Sequence, residues 1–416
     1  MSTKTKNAKV QKKTMFLAAV SVAVILGIAT GIALLASKKP VLAFYDIPEN
    51  VAANIRQILG SSFSYTTYNA DRPLAWELEQ TARPAMVITP SGQGLAAAKA
   101  AVPPKIRLNA NTLKDMTTSI RALTQTNKEK NIKALPLLTS HLEISVNTQD
   151  LKKSGVKNIN SWNDLERFAI AASEKNGKKI LFAGKDSGLF LDMVGGMAES
   201  ISGKRAYENA VQLIEIAVDK TRNGKKNTRD AAVLAQSLAG SPDTPLYDAL
   251  RMLNRWYNEG IIFSEAFSID QKSVEALMSN KLASAVFMTL NDHRAVDHNV
   301  IDKYASIYFP SNIPAYSRAF TAPVYFALPL KNNKSVIEAA LQLTATAKQE
   351  QLSRATGLAP VLARCRTPDK QADDVRYWVA ATNEPLAGLS RDVTLSHSQR
   401  DLLAAELAAM IRFSNF

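Results

Sequence analysis

The sequence predicts an α/β protein built as two lobes, and three observations carry that expectation. The chain has 416 residues, beyond the roughly 100–200 at which one hydrophobic core stops growing and a second begins. An apolar fraction of 46% with mixed charges is that of a folded chain rather than a disordered one. From residue 41 onward, short β-forming runs alternate with stretches whose apolar residues recur at helical spacing, the order that builds a largely parallel sheet covered by helices.

The first strand is "VLAFYD" (41–46), followed by the helical pattern "IPENVAANIRQIL". "FSYTTYN" alternates as a strand should, and after another helix "AMVITPSGQG" is a strand ending in a loop of small residues. Ligands of open sheets of this kind sit beyond the carboxyl ends of the strands, which selects Tyr45, Asp46, Ser91 and Gln93. Further on, "HLEISVNTQDL" (141–151) reads as a strand and one turn of helix, with Gly155 as the stop. "SWNDLERFAIAASEKNG" is a helix that Ser161 can cap, and "KKILFAG" is the next strand. "KLASAVFMTLN" (281–291) passes from helix to strand to polar loop, and "VYFALPLKNNKSVIEAALQLTATA" is a strand, a polar turn and an amphipathic helix. No fixed-period repeat is present.

The formal charge of +14 points away from nucleic acid once its distribution is read. Lys4, Lys6, Lys9, Lys12, Lys13, Lys38 and Lys39 face no acid before residue 40, so half the excess flanks a single feature. That feature is "TMFLAAVSVAVILGIATGIALLA" (14–36), uncharged and, at about 1.5 Å per residue, about 35 Å long as a helix. It is longer than the apolar core of a cleaved signal peptide, and "VLA" ending at Ala43 would cut through the first strand. An uncleaved single-pass anchor is therefore expected, with residues 1–13 a basic cytoplasmic tail and residues 40–416 extracytoplasmic.

Chemistry-bearing patterns are sparse. Cys365 stands alone, which rules out an intrachain disulfide, and of the four histidines only His293 and His298 are near each other, a pair that reads as surface polarity rather than a metal site. No nucleophile elbow, P-loop, dinucleotide fingerprint or H-E-x-x-H occurs; "GQGLAA" (92–97) reads as a turn. No catalytic role and no cofactor is expected. Trp76 and Trp378 fall in helices and read as core.

Three longer stretches together resemble one family. They are "LEISVNTQDLKKSGVKNINSWNDLERFA", "LYDALRMLNRWYNEGIIFSEAFSIDQKSVEALMSNKLASAVF" (246–287) and "FALPLKNNKSVIEAALQLTATAKQEQLSRATGLAPV" (326–361). With "VLAFYDIPENVAANI" at the start, their order is similar to that of the extracellular solute-binding proteins of ABC importers, of the maltose-binding-protein-like (family 1) type. The resemblance implies a two-lobed periplasmic-binding-protein fold, type II-like, preceded by one N-terminal transmembrane helix. Lobe one would comprise 40–139 and 327–363, and lobe two 140–326 and 364–416, closing on a ligand between them.

The same resemblance implies a monomer that captures a small polar solute, a carbohydrate or a related molecule, and hands it to ABC permease subunits. It places His141 at the crossing between lobes, Asp186 and Phe190 in a ligand loop, and Asn291, Asp292 and Arg294 in a pocket loop that in the family carries tryptophan. Tyr45, Phe190 and Tyr325 are the aromatic candidates. Arg294 could pair with an anionic ligand or close an interlobe ion pair. Because the family's stacking groups are replaced, notably by Val146 before Asn147, the ligand is expected to be more polar than a plain sugar. A ligand-sensing receptor of the same fold, an exported enzyme acting on envelope glycans, and a scaffold whose pocket is filled by side chains are the alternatives. The polar strand 141–147 is read as a crossing segment that begins in a wet cleft, or else as a solvent-facing edge strand.

Overall fold

The computed structural model describes residues 39–416 apart from 107, 109–113, 127–128, 222–227, 315–317, 383 and 415. The expected membrane span 14–36 lies outside the described residues, among which no helix is long and apolar enough to cross a membrane.

The strands, in chain order, are β1 (Val41–Phe44), β2 (Ser64–Thr67), β3 (Met86–Pro90), β4 (Gln125–Thr126), β5 (Glu129–Ile132), β6 (Leu135–Thr139), β7 (Leu142–Asn147), β8 (Lys179–Phe182), β9 (Ala283–Thr289), β10 (Tyr304–Ile307), β11 (Ala319–Thr321), β12 (Val324–Pro329), β13 (Ala359–Pro360) and β14 (Glu384–Leu386). They form a six-stranded sheet in the order β13-β6-β12-β3-β1-β2 and a four-stranded sheet in the order β10-β7-β9-β8, with β11-β14 and β4-β5 as separate pairs.

The first sheet is parallel only around β1, which pairs with β2 and β3; β12 runs antiparallel to both β3 and β6. The largely parallel sheet expected from sequence is thus a mixed one, because β12 arrives from the other lobe rather than through a local crossover helix. Leu42, Ala43, Phe44, Met86, Val87 and Ile88 are buried, as strands covered by helices on both faces require. The helix Glu49–Leu59 turns Val51, Ala52, Ile55 and Leu59 to one side, an apolar stripe of the width that seats a helix on a core.

The second sheet is walled by helices that share an aromatic core. Ser161 caps the helix Trp162–Asn176 through a reciprocal capping box with Asp164. That cap delivers Trp162 into the interior, 6.0 Å from Trp256 and edge-on to Phe309 at 5.2 Å. Gly155, at φ +81°, ends the short helix Thr148–Ser154 in the left-handed conformation that favours glycine.

Two crossings between the lobes, 139–142 and 321–324, lie side by side: Ser140 N donates to Pro323 O at 3.0 Å, and Thr139 Oγ1 to the same oxygen at 3.2 Å. The strand that opens on His141 is therefore interior. β7 lies between β9 and β10, and all six of its residues are buried. Both the wet-cleft and the edge-strand readings of its polarity are corrected: Glu143 and Ser145 are polar because they bond to each other and to neighbouring elements inside the protein.

Candidate functional site

Two strand ends of the first sheet supply one wall of a cleft. The chain leaves β1 with Asp46 at φ +50°, a conformation that aspartate tolerates better than most residues. Its carboxylate accepts from Arg391 Nε at 2.9 Å. The chain leaves β3 through Ser91, whose Oγ accepts from Val324 N at 3.1 Å, and through Gly92 and Gln93 into the helix Gln93–Ala101.

The segment 388–396 lies across these ends and reaches both lobes. Towards the first sheet, Gln93 N donates to Arg391 O at 2.9 Å and Gln93 Nε2 to Asp392 O at 3.1 Å. Towards the second lobe, Ser390 N donates to Asp192 Oδ1 at 2.8 Å and Arg391 Nη1 to Asp192 Oδ2 at 3.2 Å. Tyr207 Oη closes the same face on Asp392 Oδ2 at 2.7 Å. Gly388, at φ +106°, permits the approach, since a Cβ there would stand 2.5 Å from the Asp192 carboxylate. Arg391 thus bridges a carboxylate of each lobe.

Between this segment and the strand ends is a cleft of about 260 Å³ lined by Tyr45, Asp46, Ser91, Gln93, Arg391 and Arg400, with aliphatic walls that include Leu74 and Leu395. Burial raises the Tyr45 hydroxyl to about 12, so it stays protonated, and it donates to Arg72 O at 3.0 Å. Burial also pushes Asp192 up to about 6, even with Arg391 beside it. Burial acts to lower the pKa of Arg391, but Asp46 and Asp192 outweigh it and hold it above the usual arginine value.

A second polar cluster centres on Glu143, which is fully buried. Its carboxylate meets His293 Nδ1 at 2.7 Å and accepts from Ser145 Oγ at 2.7 Å, Ser306 Oγ at 3.0 Å and Gln371 Nε2 at 3.1 Å. Burial opposes its charge, yet His293, His141 and Ser145 hold its pKa down at about 2. Although serine, histidine and carboxylate meet here, Ser145 and Glu143 both address the same ring nitrogen, His293 Nδ1. A hydrolytic triad needs the serine and the acid on opposite nitrogens. Among the described residues no group of side chains is arranged to hold a metal. His293, expected at the surface, is buried and committed to this cluster.

The structure thus gathers Tyr45, Asp46, Ser91 and Gln93 at one cleft, and the other seven expected residues do not line it. His141 is fully buried at the crossing between Phe320 and Trp378, with ring centroids 5.9 and 5.6 Å away, and burial lowers its pKa to about 4. Asp186 caps the helix Ser187–Ser202 by accepting from Leu189 N at 3.0 Å. Phe190 is core, stacked on Phe182 at 6.2 Å, because its helix is buried on nearly every face. Asn291 has its Oδ1 enclosed in the short helix Leu290–Ala295, and Asp292 forms a capping box with Thr289 while burial raises its pKa. Arg294 takes an ion-pair role rather than a ligand one, with Asp369 at 2.8 Å; the expected bounds put Asp369 in the same lobe, and what crosses to the other is the hydrogen bond from Arg294 Nε to Gly357 O at 3.2 Å. Tyr325 is buried in β12, and burial raises its hydroxyl to about 12. Trp76, expected in the core, is 40% exposed, with the Arg72 guanidinium 4.3 Å over its ring.

Arg391, Asp192 and Arg400 escaped the sequence reading. The only local signal was the run "GLSRDVTLS" (388–396), a glycine and a charged pair just before the final helix.

No family model matches the sequence, and no curated protein matches it. Solved structures do match over nearly the whole chain. The bacterial solute receptor AcbH, described as having an exclusive preference for β-D-galactopyranose, aligns at TM-score 0.60 and 11% identity over 89% of this chain and 96% of its own. A chitin oligosaccharide binding protein aligns at 0.63 and 14% over 90% and 98%. An ABC transporter solute-binding protein from Thermotoga lettingae TMO, bound with α-D-tagatose, aligns at 0.57 and 14% over 90% and 94%. The fold is that of the ABC-transporter solute-binding proteins. In that two-lobed fold, segment 388–396 touches both lobes, as the paired crossings at 139–142 and 321–324 do.

Proposed function

We propose that this protein is a non-enzymatic, extracytoplasmic solute-binding protein that captures a small polar solute of the carbohydrate class between its lobes and delivers it to an ABC permease. The observation that carries the reading is the cleft of about 260 Å³ at the ends of β1 and β3, which both lobes reach through Arg391. Its size is near the low end of the roughly 300–1,000 Å³ of small-molecule sites, which suits a molecule of monosaccharide size. Tyr45, Asp46, Ser91 and Gln93 supply the directional polar groups at one wall. The moving bodies are the two sheets with their helices, hinged at the paired crossings, and the ligand acts by shifting the open–closed population. The solved structures support this reading by the sugars named for them, β-D-galactopyranose and α-D-tagatose among them. The apolar stretch 14–36 is long enough to tether the protein, as a monomer, to the outer face of the cytoplasmic membrane.

A thermal-shift screen of the full chain against monosaccharides, oligosaccharides, acidic sugars and amino acids tests the function. A bound solute raises the unfolding midpoint by mass action. Saturable stabilisation that disappears in Asp46→Ala is the expected result, and silence across the panel sinks the reading.

A further inference from the structure

Three arginines stand at or near the interlobe seam, and two of them are already engaged. Arg391 is held by Asp46 and Asp192, and Arg294 by Asp369. Arg400, in the first turns of the helix His397–Phe413, lines the cleft and makes no ion pair among the described residues. Asp401, its neighbour in sequence, and Asp71, which follows the Ala70 it bonds, lie 3.4 and 3.9 Å from His397. Of its five donors, one hydrogen bond is made, from Nη2 to Ala70 O at 3.2 Å. Its Nε is enclosed and has no acceptor.

That geometry constrains what fills the cleft. A solute that expels the water must bring an acceptor to the Arg400 Nη1, which unlike Nε is not enclosed, or leave that donor unmet. A carboxylate or phosphate meets the planar fork best, because two of its oxygens can take two parallel N–H groups. Once a solute has displaced the water, the aliphatic walls, Leu74, Ala97, Val393 and Leu395, surround the charge with low-dielectric groups. Asp46, the one carboxylate among the lining residues, is bonded to Arg391 and does not compete for Arg400.

We propose that the solute carries one anionic group, a carboxylate or a phosphate, on a body of monosaccharide size, and that Arg400 receives that group. The inference rests on the solute-binding reading above and narrows its ligand class to acidic or phosphorylated sugars. Asp46 and Gln93, on the facing wall, are left for the hydroxyls of the neutral part.

Calorimetric titration of the full chain at low salt with matched pairs tests it: galactose against galacturonate, and glucose against glucose 6-phosphate. The anionic member of at least one pair binds about tenfold or more tighter than its neutral twin, the usual scale of a charge-assisted contact. The two pairs separate a carboxylate site from a phosphate site. In Arg400→Gln the affinity ratio within the pair falls towards one, whatever the change in the neutral sugar's own affinity, and the unliganded unfolding midpoint reports whether the variant is folded. Arg400→Lys, which keeps the charge and loses the fork, retains part of the preference. Equal affinity within both pairs, or an anion preference that survives Arg400→Gln, overturns the assignment and leaves the solute-binding function standing. Binding of neither pair, together with silence in the wider screen, overturns both.

Discussion

Two polar ties brace the molecule on opposite principles: one bridges the lobes through Arg391, and the other binds the second sheet to the helix Lys370–Ala381, which packs on β13 at the edge of the first sheet. The Arg391 tie lies in the cleft, where its side chain is 24% exposed and that of Asp46 30%, so water can replace either partner when the lobes part. The Glu143 tie has no such access: the carboxylate is fully buried and is bonded to β7, β10, the helix Leu290–Ala295 and, through Gln371, the helix Lys370–Ala381. An ion pair at a wet boundary costs little to break and re-form, whereas a buried charge without its donors costs several kcal/mol. The first tie suits a surface that opens; the second suits a pivot that must not.

The largest expected effect comes from breaking the buried tie. Glu143→Ala leaves His293, Ser306 and Gln371 without their acceptor and should lower unfolding stability by about 3–5 kcal/mol. Urea denaturation of the full chain measures it, and a loss below about 1 kcal/mol would remove Glu143 from its central place.

The pH dependence of the two ties should run in opposite directions. His141, beside Glu143, has its folded pKa depressed to about 4 from 6.5, so its contribution is complete above pH 6.5 and is lost as pH falls towards 4. Asp192, in the cleft tie, is raised from 3.8 to about 6, so its contribution is complete below pH 3.8 and is lost as pH rises through 6. Each shift corresponds to at most about 3 kcal/mol. In denaturation profiles between pH 4 and 6.5, His141→Phe should remove a rising component and Asp192→Asn a falling one. Slopes of the same sign in the two variants would erase the contrast.

Arg391→Ala should cost less, about 1–3 kcal/mol, because Asp46 regains water and the buried Asp192 can shed its charge by taking a proton. Its clearer signature is geometric: small-angle scattering of the unliganded variant should give a larger radius of gyration than the wild type. An unchanged radius would mean that the paired crossings alone set the closure. The smallest effect belongs to Arg294→Ala. Its partner Asp369 is 41% exposed, and the loss should stay below about 1 kcal/mol in the same denaturation assay.

How much of this was legible in the sequence follows from which interactions are local. Strand periodicity at 41–46 and 86–90, the Ser161 cap, the Gly155 stop and the strand-end rule that selected Tyr45, Asp46, Ser91 and Gln93 depend on residues within a few positions of one another. Arg391 bonding Asp46 across 345 positions and Asp192 across 199 leaves no such trace. The same holds for Phe190, whose aromatic neighbours decide that it is core, and for Arg294, whose two expected roles differ only in whether Asp369 is within reach.

The sequence by itself determined the α/β alternation, the two-lobe size and the strand ends that line the cleft, because propensity, apolar period and capping act along the chain. Tertiary structure alone decided that the polar strand 142–147 is interior, that Trp76 is exposed, and that Arg400 lines a cleft with no ion-pair partner among the described residues. A side chain's burial and the partner of its charge are set by segments that arrive from elsewhere in the chain, and those exist only once both lobes have folded together.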